Sequence, residues 1–270
     1  MIDFSKVKLV VSDMDGTLLN SNGKVSNQFF KLFKNLQKQN IHFCAASGRQ
    51  HNSIVSKLEA IKNEIYVIAE NGGVAKHGET VLLSNFLKPE KVLSLIPILR
   101  KIKGANMVLC CDNSAYIESK DAHFIDLFQE YYHSFQQVEN LIKIAKTVPV
   151  FKIAVYHFDS SEEFIYPFVK DLNDKILLKV SGKNWLDISD EKANKGNALK
   201  HVQQLLNVSK EETMVFGDYH NDIEMMQEAN FSFAMDNAHA DIKELAKYST
   251  KSNDDFGVET ILEKLIQSKN

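Results

Sequence analysis

Four polar clusters in the sequence combine residue types that could transfer a phosphoryl group. Asp13 and Asp15 follow a nearly all-apolar run at residues 7–11, which is typical of a strand buried on both faces. Two carboxylates at the end of a buried strand are costly unless a cation or a proton pairs with them. Mg²⁺ is the natural candidate, because it prefers carboxylate and carbonyl oxygens. The other three clusters are Ser47-Gly48-Arg49, Lys195-Gly196, and Asp218 with Asn221 and Asp222.

Each acidic residue has its own chemical use in such a reaction. Asp13, the last residue of the predicted strand, can attack phosphorus and form an aspartyl-phosphate intermediate. Asp15 is near enough in the chain to protonate the leaving oxygen and then deprotonate the attacking water. Asp218, with Asp222 nearby, would complete a carboxylate site for Mg²⁺, which neutralises the repulsion between nucleophile and phosphate.

The remaining polar residues are predicted to hold the phosphate. Ser47 and the backbone amides around Gly48 can donate hydrogen bonds to the phosphoryl oxygens. Lys195, at a predicted helix start, adds a compact positive charge that the helix dipole reinforces. For Arg49 two interpretations stay open, because it could contact the substrate or pair with a carboxylate of the core.

Each cluster also has an ordinary structural interpretation. Asp15-Gly16 can be a turn after a strand, Ser47-Gly48 a strand-to-helix turn, and Lys195 a solvated lysine. Residues 217–222 could form a calcium-like loop or an Asx turn, although they lack the ligand pattern of an EF-hand. We favour the catalytic interpretation, because the order, residue types and placement of all four clusters agree with it.

An alternation of short apolar runs and helical patterns positions these clusters. Predicted strands at 7–13, 41–46 and 66–69 alternate with predicted helices at 27–40 and 52–60, and the same rhythm returns from residue 195. This order predicts an α/β fold with a doubly wound (Rossmann-like) parallel sheet. Ligands of such sheets bind beyond the carboxyl ends of the strands, where the four clusters can converge.

The middle of the chain follows a different pattern and carries none of the acidic clusters. Its strands alternate partly between apolar and polar residues, which predicts a sheet with one face covered by helices. We interpret residues 85–187 as an inserted α+β domain, which we call the cap. The core then consists of residues 1–84 and 188–270.

Composition excludes several classes of partner. The net charge of -3 and the scattered lysines and arginines provide no basic field for nucleic acid or an anionic membrane. No apolar run approaches the roughly 20 residues that span a bilayer, and the N-terminus lacks a signal-peptide pattern. Cys44, Cys110 and Cys111 lack metal-site and redox spacing, which favours reduced, buried thiols in a cytoplasmic protein.

Asp13-Met14-Asp15-Gly16-Thr17-Leu18-Leu19 resembles the first motif of the haloacid-dehalogenase (HAD) superfamily, most of whose members are Mg²⁺-dependent phosphatases. The other three clusters are similar to the remaining motifs of that family. Further similarity to the Cof-type subgroup comes from segments 46–49, 71–73 and 217–225 and from Asn237-Ala238. The subgroup also carries a cap between the second and third motifs, as expected here.

The resemblance implies roles for individual residues. Asp13 matches the nucleophile and Asp15 the acid/base, while Ser47 and Lys195 match the phosphate-binding serine and the lysine of the second and third motifs. Mg²⁺ would take the Asp13 side chain, the Asp15 carbonyl and Asp218, with Asp222 as a further acidic candidate. The resemblance also implies phosphate contacts near the residues Met14, Gly48 and Asn221.

Three functions remain open at this point. The resemblance favours a Mg²⁺-dependent phosphatase of small phosphorylated metabolites, such as sugar phosphates, in which the cap excludes water and selects the substrate. A phosphomutase-like transferase would use the same residues, and nothing in the sequence separates it from a hydrolase. A non-enzymatic phospho-accepting regulator is the third, although a receiver fold needs no such insertion. The sequence does not predict the oligomeric state.

Overall fold

The strand that carries Asp13 lies in the middle of a mostly parallel sheet. The computed structural model describes residues 3–112, 114–129, 131–132, 134–172 and 175–269. The strands of this part of the chain are β1 (Leu9–Asp13), β2 (His42–Ala46), β3 (Tyr66–Ala69), β4 (Val74–His77), β5 (Thr80–Ser84), β6 (Ala105–Cys111), β7 (Ala115–Ile117), β8 (Phe135–Gln137), β9 (Val150–His157), β10 (Ile176–Val180), β11 (Trp185–Asp190), β12 (Thr213–Gly217), β13 (Phe231–Ala234) and β14 (Tyr248–Ser249). The helices are α1 (Asn27–Lys38), α2 (His51–Lys57), α3 (Pro89–Leu99), α4 (Ala122–Phe128), α5 (Leu141–Ala145), α6 (Ser161–Phe164), α7 (Tyr166–Val169), α8 (Lys195–Leu206), α9 (Ile223–Gln227), α10 (Ala240–Leu245) and α11 (Gly257–Ser268).

The first sheet has the strand order β14-β13-β12-β1-β2-β3-β4-β5. Its strands from β14 to β3 are parallel, whereas β4 and β5 join through antiparallel pairing. The predicted α/β class with a doubly wound parallel sheet is therefore confirmed. All five residues of β1 are buried, which explains the apolar sequence of this strand, because it has a neighbour on both sides and helices on both faces.

Helix α1 shows how the sequence builds one of these layers. The Ser26 side chain accepts a hydrogen bond from the Phe29 amide at 3.0 Å and so caps the helix. Phe29 and Phe33 then repeat at helical spacing and pack on Phe43 of β2, with ring centroids 5.0 and 6.2 Å apart. Burying each ring contributes about 1.5–3 kcal/mol, so this contact holds α1 against β2, the strand that leads to Ser47.

The second sheet has the strand order β10-β11-β9-β6-β7-β8 and is antiparallel except for the pair β7 and β8. Alternate residues of β6 point to opposite faces. Met107 and Leu109 pack with α3 and α5 on one face, whereas Val108 and Cys110 pack with α4 on the other. The prediction that helices cover one face was therefore wrong. The hydrophobic residues packed between this sheet and α4 include several aromatic rings, which the alternation of apolar and polar residues in the sequence does not reveal.

The chain passes to the second sheet after β5 and returns to the first after β11. Leu87 pairs with Val150 at the first crossing. The expected boundary at residue 187 falls inside β11, so we propose that the cap extends to Asp190. The helical segment from Ser161 to Val169 is interrupted at Ile165, because Pro167 has no N–H for a helical bond.

Two expectations from composition can be compared with the structure. All three cysteines are buried and free. Among the described residues, none of the helices combines the length and the apolar character that crossing a membrane would require.

Candidate active site

Three neighbouring parallel strands deliver the polar clusters to one edge of the first sheet. Asp13 ends β1, Ser47 follows β2 and Asp218 follows β12, and these strands pair side by side. Lys195 begins α8, whose preceding residue Asn194 caps the helix by accepting from the Asn197 amide at 2.8 Å. The four clusters that are distant in sequence therefore lie at one site.

Lys195 is fully buried between two carboxylates. Its Nζ lies 2.5 Å from Asp13 Oδ1 and 2.7 Å from Asp222 Oδ1. Although burial lowers the pKa of the Lys195 ammonium, the adjacent Asp13 and Asp222 carboxylates more than offset that effect and hold it above the usual range. The alternative of a solvated lysine is wrong, since this side chain has no exposed surface.

Asp222 uses both of its oxygens inside the protein. While Oδ1 contacts Lys195, Oδ2 accepts from the backbone amides of Asp218 at 2.9 Å and Tyr219 at 3.2 Å. A Cβ on Gly217 would lie 2.6 Å from this Oδ2, so only glycine allows so close an approach. Asp222 thereby fixes the loop that presents Asp218.

The described residues contain an acidic group suited to a divalent cation. Ligand oxygens of Asp13, Asp218 and Asp222 all lie within 4.8 Å of one another. Burial, reinforced by the Asp222 charge, raises the pKa of Asp218 to about 7. Burial also raises the pKa of Asp13 well above its usual value, although Lys195 opposes that rise. The single ammonium of Lys195 leaves excess negative charge among these carboxylates, which fits Mg²⁺.

Two residues of the first motif position Asp218 further. Thr17 Oγ1 donates to Asp218 Oδ1 at 3.2 Å. Gly16 has a φ of +75°, and a Cβ there would lie 2.3 Å from Asp218 Oδ2. Thr17 was not among the predicted site residues, and its only sequence signal is its place inside the first motif.

Asp15 forms a bidentate ion pair with Arg49. Arg49 Nε and one terminal nitrogen donate to the two Asp15 carboxylate oxygens at 2.7 and 2.6 Å. The guanidinium also lies 4.7 Å from the ring centre of Tyr131 in the cap, close enough for a cation–π contact. Of the two interpretations of Arg49, the structure shows the carboxylate pairing, and the carboxylate belongs to this site.

The predicted phosphate-binding residues surround the same acidic group. Ser47 Oγ accepts from the Arg49 amide at 3.1 Å, and Asn221 Nδ2 donates to Asn71 Oδ1 at 3.0 Å. Met14 has a fully buried side chain, so only its backbone could reach a phosphate. Gly48 lies between Ser47 and Arg49 at the cavity surface.

A cavity of about 400 Å³ separates the core from the cap. The core contributes most of the predicted site, namely Asp13, Asp15, Ser47, Gly48, Arg49, Asp218 and Asn221. The cap contributes rings and polar groups, among them Tyr131, Tyr156, Asn184, Trp185 and Lys152. Trp185 packs against Tyr156 and also lines the cavity.

Sequence reasoning missed the buried polar residues that the cap brings to this cavity. Lys152 and Asp187 are both buried and both line the cavity. A signal was present for Lys152, which interrupts an apolar run at residues 150–155 of β9, whereas Asp187 lies in a strand that also contains Ser189 and Asp190. His220, in the loop between Asp218 and Asp222, has its Nε2 at 2.9 Å from an Asp241 carboxylate oxygen.

Comparison of the whole chain with known proteins finds the protein family that the sequence motifs resemble. A family model of haloacid dehalogenase-like hydrolases matches residues 10–262. YbjI of Escherichia coli, named 5-amino-6-(5-phospho-D-ribitylamino)uracil phosphatase, is 31% identical over 281 residues, with 97% of each chain covered. Phosphatase YwpJ of Bacillus subtilis is 28% identical, covering 96% of this chain and 100% of YwpJ. The crystal structure of SMU.1108c from Streptococcus mutans matches with a TM-score of 0.89 and 26% identity, covering 97% and 99% of the two chains.

These matches extend over the core and the cap alike, so they describe the complete architecture and not one motif. The predicted family is confirmed: the chain belongs to the haloacid dehalogenase-like hydrolases, as a phosphatase of the Cof type.

Proposed function

We propose that this phosphatase hydrolyses phosphate monoesters of small metabolites with Mg²⁺ and an aspartyl-phosphate intermediate. The observation that carries the proposal is the contact of the Asp13 carboxylate with the buried Lys195 ammonium, beside Asp218 and facing the cavity. A nucleophilic carboxylate must be ionised and held in one orientation, and the ammonium at 2.5 Å supports both requirements.

Asp13 and Asp218 would hold the Mg²⁺ ion, together with the Asp15 backbone carbonyl that the family resemblance implies. When bound, Mg²⁺ supplies positive charge that lowers the repulsion between the nucleophile and the phosphate. Asp222 engages both oxygens with Lys195 and backbone amides, and we therefore assign it to orienting Lys195 and Asp218.

Asp15 would act as general acid and then as general base. Its carboxylate is half exposed and paired with Arg49, so it can exchange protons with a leaving oxygen or with water in the cavity. An incoming phosphate would compete with Asp15 for the Arg49 guanidinium, because both are oxyanions that can accept two parallel hydrogen bonds from it. Substrate binding would in this way release Asp15 for proton transfer.

The transferring phosphoryl group would be held by neutral donors. These are the Ser47 hydroxyl, the backbone amides near Gly48 and Met14, and the Asn221 amide. Fixed neutral donors stabilise the charge that develops in the transition state without a further cost of reorganisation.

For the leaving group, the cavity favours a compound with both polar and flat parts. Tyr131, Tyr156 and Trp185 offer ring faces, while Asn184 and Lys183 offer polar groups. The phosphorylated ribitylamino-uracil named for YbjI is our first substrate candidate, and sugar phosphates are the second. A cytoplasmic location remains a prediction.

The test is phosphate release from a panel of phosphorylated metabolites, with Mg²⁺ and with EDTA. We expect turnover that EDTA abolishes and that Asp13→Asn reduces by at least about a thousandfold. Asn52→Ala, on the nearby helix α2, is the matched control and should retain activity. Turnover in EDTA, or full activity of Asp13→Asn, would contradict the mechanism. A rearranged phosphate ester detected by phosphorus NMR in place of free phosphate would show that the enzyme is a mutase and not a hydrolase.

A further inference from the structure

A buried ion pair of the cap touches the phosphate-binding loops of the core. Lys152 lies on β9 and its Nζ contacts Gly48 O at 2.7 Å, Asp187 Oδ2 at 3.0 Å and Glu70 Oε2 at 3.3 Å. The contacts with Gly48 and Asp187 are hydrogen bonds, and Glu70 adds an ion pair, so protein oxygens enclose the ammonium. Lys152 is therefore arranged to organise other groups and not to bind the substrate itself.

The first connection runs from Lys152 to Ser47. The Gly48 carbonyl that accepts from Lys152 belongs to the peptide whose N–H, on Arg49, donates to Ser47 Oγ at 3.1 Å. Hydrogen bonds in such a chain polarise one another. A hydroxyl oxygen that accepts a stronger bond becomes a better donor through its own hydrogen, so Lys152 strengthens Ser47 as a phosphate donor.

The second connection runs from Asp187 to Asn221. Asp187 Oδ2 accepts from Asn71 Nδ2 at 2.5 Å, and Asn71 Oδ1 accepts from Asn221 Nδ2 at 3.0 Å. The Asn71 backbone amide also donates to Ser47 O at 3.0 Å. Asn71 adopts a φ of 53°, a left-handed conformation that asparagine tolerates better than most residues. Its amide orientation is thus fixed by partners on both sides.

The burial of this network argues against a role in docking alone. A buried ion pair seldom stabilises a protein more than an apolar contact of similar size, because desolvation offsets most of the Coulombic gain. A second ion pair between cap and core, Lys179 with Glu224 at 2.6 Å, is partly exposed and touches none of the predicted phosphate-binding residues. The Lys179–Glu224 pair can therefore serve only to dock the cap, whereas the Lys152 network also contacts the predicted phosphate-binding residues. Comparing variants of the two pairs distinguishes these roles.

We propose that Lys152, Asp187 and Asn71 are positioning residues that set Ser47 and Asn221 for phosphate binding when the cap is docked. The proposal rests on the proposed function, since it assigns the phosphate to those two residues. It makes oxyanion affinity depend on a lysine that belongs to the cap.

The experiment measures tungstate, a tetrahedral oxyanion probe, binding to the full chain with Mg²⁺ present. Trp185 is the only tryptophan and lines the cavity, so its fluorescence reports binding, and calorimetry provides a second measurement. We expect Lys152→Met and Asn71→Gly each to raise the Kd for tungstate by about tenfold or more, because each removes a hydrogen bond that involves a charged group. Lys179→Met is the matched control and should change it by less than about twofold.

The dissociation constant separates positioning from destabilisation once the folded fraction of each variant is measured by circular dichroism, because reversible unfolding raises the apparent Kd only by the inverse of that fraction. The double variant Lys152→Met/Asn71→Gly should lose less tungstate affinity than the sum of the losses of the two single variants, because both residues act through one network. Equal Kd values for Lys152→Met and Lys179→Met, or full additivity, would overturn the proposal. Tungstate binding without any turnover of the wild type would contradict the proposed function and leave this inference standing.

Discussion

Replacing Lys195 by methionine tests the central electrostatic argument. The substitution keeps an unbranched apolar stem out to Cε but removes the ammonium between Asp13 and Asp222. The two carboxylates then face each other in a site that has almost no exposure to solvent. Without the ammonium, each carboxylate must either stay ionised with no adjacent cation or bind a proton.

The expected loss follows from that burial. Removing one partner of a buried ion pair costs about 3–5 kcal/mol of unfolding free energy. We also expect the pKa of Asp13, which burial already raises, to rise further without the ammonium. A folded-state pKa above the unfolded value means that stability is lost as pH rises. The deficit of the variant should therefore be largest near pH 8 and smaller near pH 5.

Urea unfolding of the metal-free protein at pH 5 and pH 8 provides the measurement. The matched control is Lys200→Met on the same helix, whose exposed ammonium lies 3.2 Å from Glu228, and we expect it to lose at most about 1 kcal/mol. In the phosphatase assay Lys195→Met should lower kcat/KM by about a hundredfold or more, as removal of a charge-stabilising group does. Equal losses for the two lysine variants at pH 8 would refute the assignment of Lys195 as the compensating charge.

Three further predictions concern the metal and the acid/base residue. Gly16→Ala should weaken Mg²⁺ binding by about tenfold or more, because its Cβ would lie 2.3 Å from Asp218 Oδ2 and displace that carboxylate; calorimetry measures the change. Mg²⁺ affinity should rise between pH 6 and pH 8, because the pKa of Asp218 is raised to about 7 by burial and the proton competes with the ion below that value; titrations at three pH values measure it. Arg49→Lys should lower kcat/KM by about tenfold, because an ammonium cannot reproduce the bidentate contact with Asp15; steady-state kinetics measure this effect.

Each of these predictions has a contradicting result. Unchanged Mg²⁺ affinity in Gly16→Ala would mean that Asp218 is not a ligand; Gly78→Ala, with open space around its Cβ, is the matched control. A Mg²⁺ affinity that falls or stays level from pH 6 to pH 8 would contradict the raised pKa of Asp218. Wild-type kinetics in Arg49→Lys would show that the ion pair with Asp15 has no part in turnover.

Much of the core could be predicted from the sequence because its signals are local. Strand β3 lies at the predicted residues 66–69, and α8 begins at the predicted residue 195. Short elements such as β8, α5, α10 and β14 escaped prediction, since two to six residues carry too little periodicity. The convergence of the four clusters followed from one topological rule about parallel strands.

The sequence by itself determined the α/β class, the family and the residue types of the reaction, because strand patterns and motifs are local properties of the chain. Only the tertiary structure decided which charges compensate one another. It paired Asp15 with Arg49, buried Lys195 between Asp13 and Asp222, and brought Lys152 of the cap onto Gly48. These contacts depend on how two sheets pack, and the energies of buried charges depend on distances that no local pattern contains.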